Sequence, residues 1–222
     1  MTAGPAVVLS GVAKSFTEGG QRRRVLDGIT ATVAAGTWTV LLGRSGSGKS
    51  TLLNLMSGMD VADAGTIRVA GEDVHAMDEA GRSRLRRTVV GVVFQHLNLI
   101  PTLTVGENLL LRIELAGRRD DAAARTLLAE VGLADRWDAW PDRLSGGEQQ
   151  RCAVAAALAH GPSVVLADEP TGSLDAATGA VVLDLLERLT RRAGRTLIMA
   201  THDAAIAERA DAVWRMQDGR LG

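Results

Sequence analysis

The stretch Trp38-Thr-Val-Leu-Leu-Gly43-Arg-Ser-Gly-Ser-Gly48-Lys49-Ser50-Thr51-Leu-Leu-Asn-Leu-Met56 decides the fold. Trp38 to Leu42 reads as a short apolar strand that runs straight into a Gly/Ser loop, and a helix is expected from Lys49 to about Gly58. Gly43 to Ser50 fits GxxxxGK[ST] in the setting that pattern needs, between a strand and a helix. Glycines let backbone N–H groups curl around a phosphate, and the helix N-terminus adds partial positive charge. Lys49 then reaches the β and γ phosphates of a nucleotide, and the Ser50 hydroxyl suits Mg²⁺. Arg44, Ser45, Gly46, Ser47, Gly48 and Thr51 complete the candidate nucleotide contacts along the loop. Stripped of its flanks, the segment would be a Gly/Ser turn before an ordinary helix.

Outward from this loop, strand and helix signals alternate. Val7 to Val12 and Val25 to Val33 read as strands around a polar Thr17 to Arg24 turn, with further strands at Thr66 to Val69 and Val89 to Phe94 and a charged helix between those two at Asp78 to Arg87. From Thr104 to His160 the texture turns helical, with candidates at Thr104 to Ala116, Ala122 to Val131 and Glu148 to Ala159. Strands return at Val164 to Ala167, Thr196 to Ala200 and Asp211 to Met216, the first two separated by a helix at Ala176 to Arg192. Such alternation predicts an α/β fold with a parallel sheet covered by helices, interrupted by a helical insertion. With 222 residues, 46% of them hydrophobic, the chain fits one domain of 1–222, in which 96–160 is a helical subdomain between 1–95 and 161–222.

Composition narrows the function. The 25 basic and 26 acidic side chains leave a net charge of −1, so no global field holds a nucleic acid, and any anion must be bound locally. Aromatic residues are 3% and Tyr is absent, which argues against stacking platforms for single strands. Only two lysines occur, Lys14 and Lys49, so each position invites a question. The lone Cys152 forms no internal disulfide and points to a reducing compartment. No run approaches the ~18 apolar residues of a membrane span, and Met1 to Leu9 lacks a signal pattern. If the chain serves a membrane, a partner supplies the spans. His75, His96 and His160 have no metal-ligand spacing and read as structural or solvated; Arg82, Arg84, Arg86 and Arg87 read as a solvated basic face.

A second chemical signal is Val164-Val-Leu-Ala-Asp168-Glu169, an apolar strand ending in two carboxylates. Ligands collect at the carboxyl ends of parallel strands, so the pair should face the Gly/Ser loop. Asp168 suits the Mg²⁺ shell and Glu169 a general base for an attacking water, although strand ends also carry charges that merely solvate a turn.

Leu144-Ser-Gly-Gly-Glu-Gln-Gln-Arg151, taken with these two motifs, resembles the signature of ATP-binding cassette (ABC) transporter nucleotide-binding domains. The rest of the pattern follows in order, with Gln95 similar to the family's Q-loop, Ser173-Leu-Asp175 to its D-loop, His202 to its switch histidine, and Phe16 to the aromatic placed under adenine. The resemblance covers about Val7 to Leu221 and implies a P-loop NTPase core, N-terminal antiparallel β strands and the helical insertion. It implies ATP and Mg²⁺ as ligands, with Ser50, Gln95 and Asp168 near the metal, Glu169, His202, Lys49 and Gln95 in catalysis, and Phe16 and Asp175 among the nucleotide contacts. It further implies head-to-tail pairing with a second copy, whose Ser145, Gly146 and Gly147 grip the γ phosphate lying on the first copy's loop. Residues alone leave a Gly-rich helix cap as the other reading of Leu144 to Arg151.

The strings Glu169-Pro-Thr-Gly-Ser-Leu-Asp175, Phe94-Gln-His-Leu-Asn-Leu-Ile-Pro101 and Thr104-Val-Gly-Glu-Asn108 resemble the lipoprotein-release and macrolide-exporter group, with Ser173 where Asn is expected. The resemblance implies a separate membrane permease docking near Gln95 to Leu103 and the helical insertion, and a peripheral place on the cytoplasmic face of the membrane. The end at Arg220-Leu-Gly222 leaves no room for the regulatory domain of sugar-importer ATPases. A cell-division type that regulates wall hydrolases without transport, and a soluble cassette ATPase, are the alternatives; the cargo itself is read by no residue here.

Overall fold

Two glycines with positive φ, Gly19 (56°) and Gly20 (79°), make the two-residue turn that joins β1 (Val7–Glu18) to β2 (Gln21–Val33). Both central positions of such a hairpin need φ > 0, which glycine supplies without a Cβ clash. The polar Thr17 to Arg24 segment is therefore strand on both sides of the turn, and the expected eight-residue connection is corrected to two residues. The computed structural model describes residues 4–95 and 97–222, so the expectation for His96 and the reading of Met1 to Ala3 lie outside the described residues.

The chain continues through β3 (Trp38–Leu42), α1 (Lys49–Met56), β4 (Ala64–Val69), the short β5 (Glu72–Asp73), α2 (Glu79–Thr88) and β6 (Val90–Val93). The helical stretch holds α3 (Val105–Leu115), α4 (Asp121–Glu130) and α5 (Gly146–Leu158), with 3₁₀ turns at Ala134–Arg136 and Pro141–Arg143. Then come β7 (Val164–Asp168), α6 (Ala176–Arg192), β8 (Thr196–Thr201), α7 (Ala204–Ala207), β9 (Ala212–Gln217) and β10 (Arg220–Leu221).

Strands β2-β1-β4-β5 form an antiparallel sheet, and β10-β9-β3-β8-β7-β6 form a second sheet in which every pair except β10·β9 is parallel. The expected parallel sheet thus carries one antiparallel edge strand. Its central strands are apolar on both faces because both faces are covered. Trp38, Val40, Val165, Ala167, Leu197 and Met199 pack under the helices with Leu109, Ile113, Val154 and Leu186, whereas Leu41, Leu166 and Ile198 point the other way, to Leu9, Leu26, Leu52 and Ile67. Each such side chain contributes roughly 1.5–3 kcal/mol on burial, and a one-residue slip of β3 would exchange its two core faces.

Burial settles several side residues. Cys152 is fully buried, which pushes its thiol up to about 12, and burial takes His160 down to about 4. Trp137 packs against the helical core with the Arg125 guanidinium 3.9 Å from its ring centroid, while Trp140 is exposed. The basic face of α2 is largely paired internally, Arg82 and Arg86 with Glu79 and Arg84 with Glu72.

Candidate active site

Register brings the chemistry to one edge. Leu42 pairs with Thr201 and with Arg215, and Asp168 pairs with Ala200, so β3, β7 and β8 end side by side. From the end of β3 the loop turns on glycines that have no substitute. A Cβ on Gly43 would stand 2.4 Å from the Met216 carbonyl oxygen, and one on Gly48 would stand 2.8 Å from Leu26 Cδ2. Gly48 has φ 105° and is the N-cap of α1, yet no side chain caps that helix. The first N–H groups of α1 are thus left for a ligand, at the positive end of the helix dipole.

Lys49 lies 5% exposed and folds back on the loop. Its ammonium donates to the Gly43 carbonyl (2.8 Å) and the Arg44 carbonyl (3.1 Å), and lies 3.5 Å from Glu169 Oε1. Glu169 in turn has φ 43°, an unusual conformation for a residue with a side chain, held by its N–H donating to Ala200 O at 3.0 Å and by Gly172 N–H donating to Glu169 O at 3.0 Å. Glu169 Oε2 is 3.0 Å from His202 Nδ1. A carboxylate accepts, so this contact is a hydrogen bond in the tautomer that carries its proton on Nδ1. Lys49 and His202 therefore approach the two oxygens of one carboxylate.

Asp168 sits one residue earlier and half-buried, and its Oδ1 has no hydrogen-bond partner. Burial raises its pKa above the usual carboxylate range, the nearby Glu169 charge adds to this, and the Ser50 hydroxyl and Lys49 oppose it. An orphaned carboxylate oxygen beside a hydroxyl is a fitting oxygen set for a hard cation.

Phe16, Arg44, Ser45, Gly46, Gly48, Lys49, Ser50, Thr51, Gln95, Glu169 and His202 all line one cavity of about 720 Å³. Gly43 and Ser47 instead line a neighbouring cavity, which shares Arg23, Arg44, Ser45 and Gly46 with the first and adds Arg215 and Asp218. Ser145, Gly146, Gly147 and Asp175 line neither. Ser145 caps α5 in a reciprocal box with Glu148, and Asp175 caps α6 by accepting from Thr178 N–H at 3.0 Å. Two lining residues escaped sequence reasoning, Arg23 and Val25. They alternate on β2, with Arg23 directly across from Phe16; reading Arg23 as turn and beginning the strand only at Val25 hid that alternation.

Comparison with known proteins gives the family. Residues 26–172 match the family model described as ABC transporter. An uncharacterized ABC transporter ATP-binding protein of Mycobacterium tuberculosis is 53% identical over 98% of this chain and 89% of its own length. The lipoprotein-releasing system ATP-binding protein LolD of Xanthomonas oryzae pv. oryzae is 43% identical over 95% of this chain and 87% of its own. The solved dimeric structure of the bacterial ABC transporter cassette MJ0796 superposes with a TM-score of 0.90 at 33% identity, covering 97% and 96% of the two chains, and the same cassette has been solved as a dimer in a post-hydrolysis state with ADP and Pi. With a cavity built around the Gly43 to Ser50 loop and relatives of this kind, the chain belongs to the ABC transporter family, as one of its ATP-hydrolysing cassettes.

Proposed function

We propose that this chain is the motor subunit of a lipoprotein-release-like system, a single catalytic domain that converts ATP hydrolysis into closing and opening of a head-to-tail dimer beneath a separate membrane permease. The observation that carries the reading is the approach of Lys49 Nζ (3.5 Å) and His202 Nδ1 (3.0 Å) to the two oxygens of Glu169 above an uncapped helix N-terminus. Lys49 and the α1 N–H groups hold the β and γ phosphates, and Phe16 takes the base. Ser50, Gln95 and Asp168 would hold Mg²⁺, which when bound neutralises phosphate charge. Glu169 accepts the proton of the attacking water, and His202 fixes the orientation of that carboxylate.

Since Ser145, Gly146, Gly147 and Asp175 lie outside the cavity, one chain provides half of the reading's composite site. A second copy supplies the rest, as the dimeric cassette relative supports. Among the described residues no helix is long and apolar enough to cross a membrane; the reading places the chain peripherally on the cytoplasmic face, beside a partner that supplies the spans. Exposed Met59 and Leu115 line a groove with Phe94 and Asn98 at the edge of the 96–160 insertion, the face we assign to the permease.

Size-exclusion chromatography of Glu169→Gln tests the reading. The amide keeps the shape but takes no proton, so hydrolysis falls by about 10²-fold or more and an ATP-dependent dimer accumulates. Adding Ser145→Arg returns it to monomer with ATP still bound. A Glu169→Gln protein that binds ATP yet stays monomeric overturns the composite site.

A further inference from the structure

Lys14 is the second of only two lysines, and nothing in the loop chemistry uses it. It is 9% exposed on β1, where its ammonium donates to Asp60 Oδ1 (2.6 Å) and to the Val61 carbonyl (2.7 Å). The same ammonium lies over the Phe16 ring, 5.1 Å from the centroid. Phe16 lines the nucleotide cavity and is 39% exposed, whereas Lys14 does not line it. The ring thus has a buried cation over it and is itself partly exposed at the cavity.

The cation is held from below. Asp60 and Val61 belong to the connection that leaves α1, the helix whose first residue is Lys49. That connection grips β1 at two further points, as Ser15 N–H donates to Asp63 Oδ2 (2.9 Å) and Asp63 N–H donates to Ala13 O (2.9 Å). We propose that Lys14 is a positioning residue for base recognition: pinned by Asp60, its ammonium backs Phe16 and ties the aromatic platform to the far end of the helix that opens on the phosphates. The inference rests on the reading that Phe16 takes the base. A cation under one face draws the ring's π density toward itself and holds the ring against rotation, leaving a fixed, less electron-rich face for a purine.

The test compares ATP with inorganic tripolyphosphate, which has the phosphates and no base, by titration calorimetry on the whole chain. Lys14→Met should weaken ATP binding about five-fold and leave tripolyphosphate binding unchanged. The KM for ATP should rise by the same factor with kcat unchanged. Lys14→Arg, which keeps the charge, should stay within about two-fold of the native affinity. Because Lys14→Met strands the Asp60 carboxylate, Lys14→Met/Asp60→Asn is measured beside it and should show the same loss for ATP alone. Equal losses for ATP and tripolyphosphate mean a merely structural lysine and overturn the inference, as does Lys14→Arg falling as far as Lys14→Met. Phe16→Ala separates the two layers. If it leaves ATP affinity intact, the base-stacking reading fails; if it lowers ATP affinity while both Lys14→Met proteins match native, only the role of Lys14 fails.

Discussion

Two helices of this chain open on small residues, and their first turns are finished in opposite ways. At α1 the N-cap is Gly48 at φ 105°, with no side-chain cap. At α5 the N-cap is Ser145, whose N–H and hydroxyl both donate to Glu148 Oε2 at 2.9 and 2.8 Å, while Glu148 N–H returns a bond to the hydroxyl at 3.4 Å. A helix end left open is a receptor built in advance, because its N–H groups are short of partners until an anion arrives. A boxed end has its N-cap and N3 N–H groups satisfied and leaves those of Gly146 and Gly147 without a helical partner. The first end opens on a cavity of its own chain; the second presents Ser145 and Gly146, both exposed, to another molecule.

The largest effect that separates the two ends is expected from Lys49→Ala. It removes the ammonium that braces the Gly43 and Arg44 carbonyls and that the proposed function sets against the phosphates. Phosphate release should fall by about 10³-fold, with nucleotide affinity falling too, while the circular dichroism of the protein stays native because alanine is a good helix former. The matching change at the other end, Ser145→Ala, should cost about 1 kcal/mol in urea unfolding and leave the ATP affinity of the monomer unchanged. If Ser145→Ala weakens ATP binding to the monomer as Lys49→Ala does, the two ends are not divided in this way.

Buried polar groups are left unpaired near both ends, the Gln150 side-chain amide in the second turn of α5 and two groups at the open end. Asp168 Oδ1 and Ser47 Oγ are buried without partners, and Glu169 holds φ 43°. Burial raises the Asp168 pKa, so the folded chain keeps that proton more firmly than the unfolded chain does. Its contribution to stability is therefore greatest at low pH and declines as pH rises through the folded value. Asp168→Asn removes this decline. At pH 7 and without nucleotide, the variant should melt no lower than native, while Mg-dependent turnover falls by about 10²-fold. A clear fall in melting temperature would show that Asp168 is a structural carboxylate and not one held for a ligand.

Much of this was legible in the sequence where a local rule decides the outcome. Trp38 to Leu42 and Ala176 to Arg192 fall on the observed elements because one is apolar on both faces and the other has a clear cap, Asp175, and a basic last turn. The boundary of α5 moved from Glu148 back to Gly146 because the capping box, not composition, sets where that helix begins. The first hairpin was misjudged since arginines at 22–24 look like a turn, although the Gly-Gly pair alone makes the turn. What a motif does not carry is direction. The string Gly43 to Ser50 does not say that Gly43 and Ser47 line a second cavity beside the first. Nor does it say that Glu169 and His202, 33 residues apart, meet because β7 and β8 are neighbours.

The smallest effect sharpens the comparison most, because it alters the boxed end without opening it. Glu148 is a carboxylate at the site where the composite reading brings a γ phosphate, and its hydrogen bonds from Ser145 hold its pKa below the usual range, so it stays charged at any working pH. Two charges of one sign then approach each other when the dimer closes. Glu148→Gln keeps a carbonyl oxygen for the Ser145 N–H and so keeps the box, but loses the charge. The helix loses its favourable dipole contact, worth about 0.5 kcal/mol, while the dimer loses a repulsion. In a Glu169→Gln background, half-maximal dimerisation should therefore need about two- to five-fold less ATP, and the gain should shrink in 0.5 M salt, where the screening length falls below about 5 Å. A gain that ignores salt would come from altered shape at the cap and not from charge. No gain at low salt would mean that Glu148 does not face the phosphate at all, and that the closed end of α5 meets the second copy through Ser145 and Gly146 with its carboxylate turned aside.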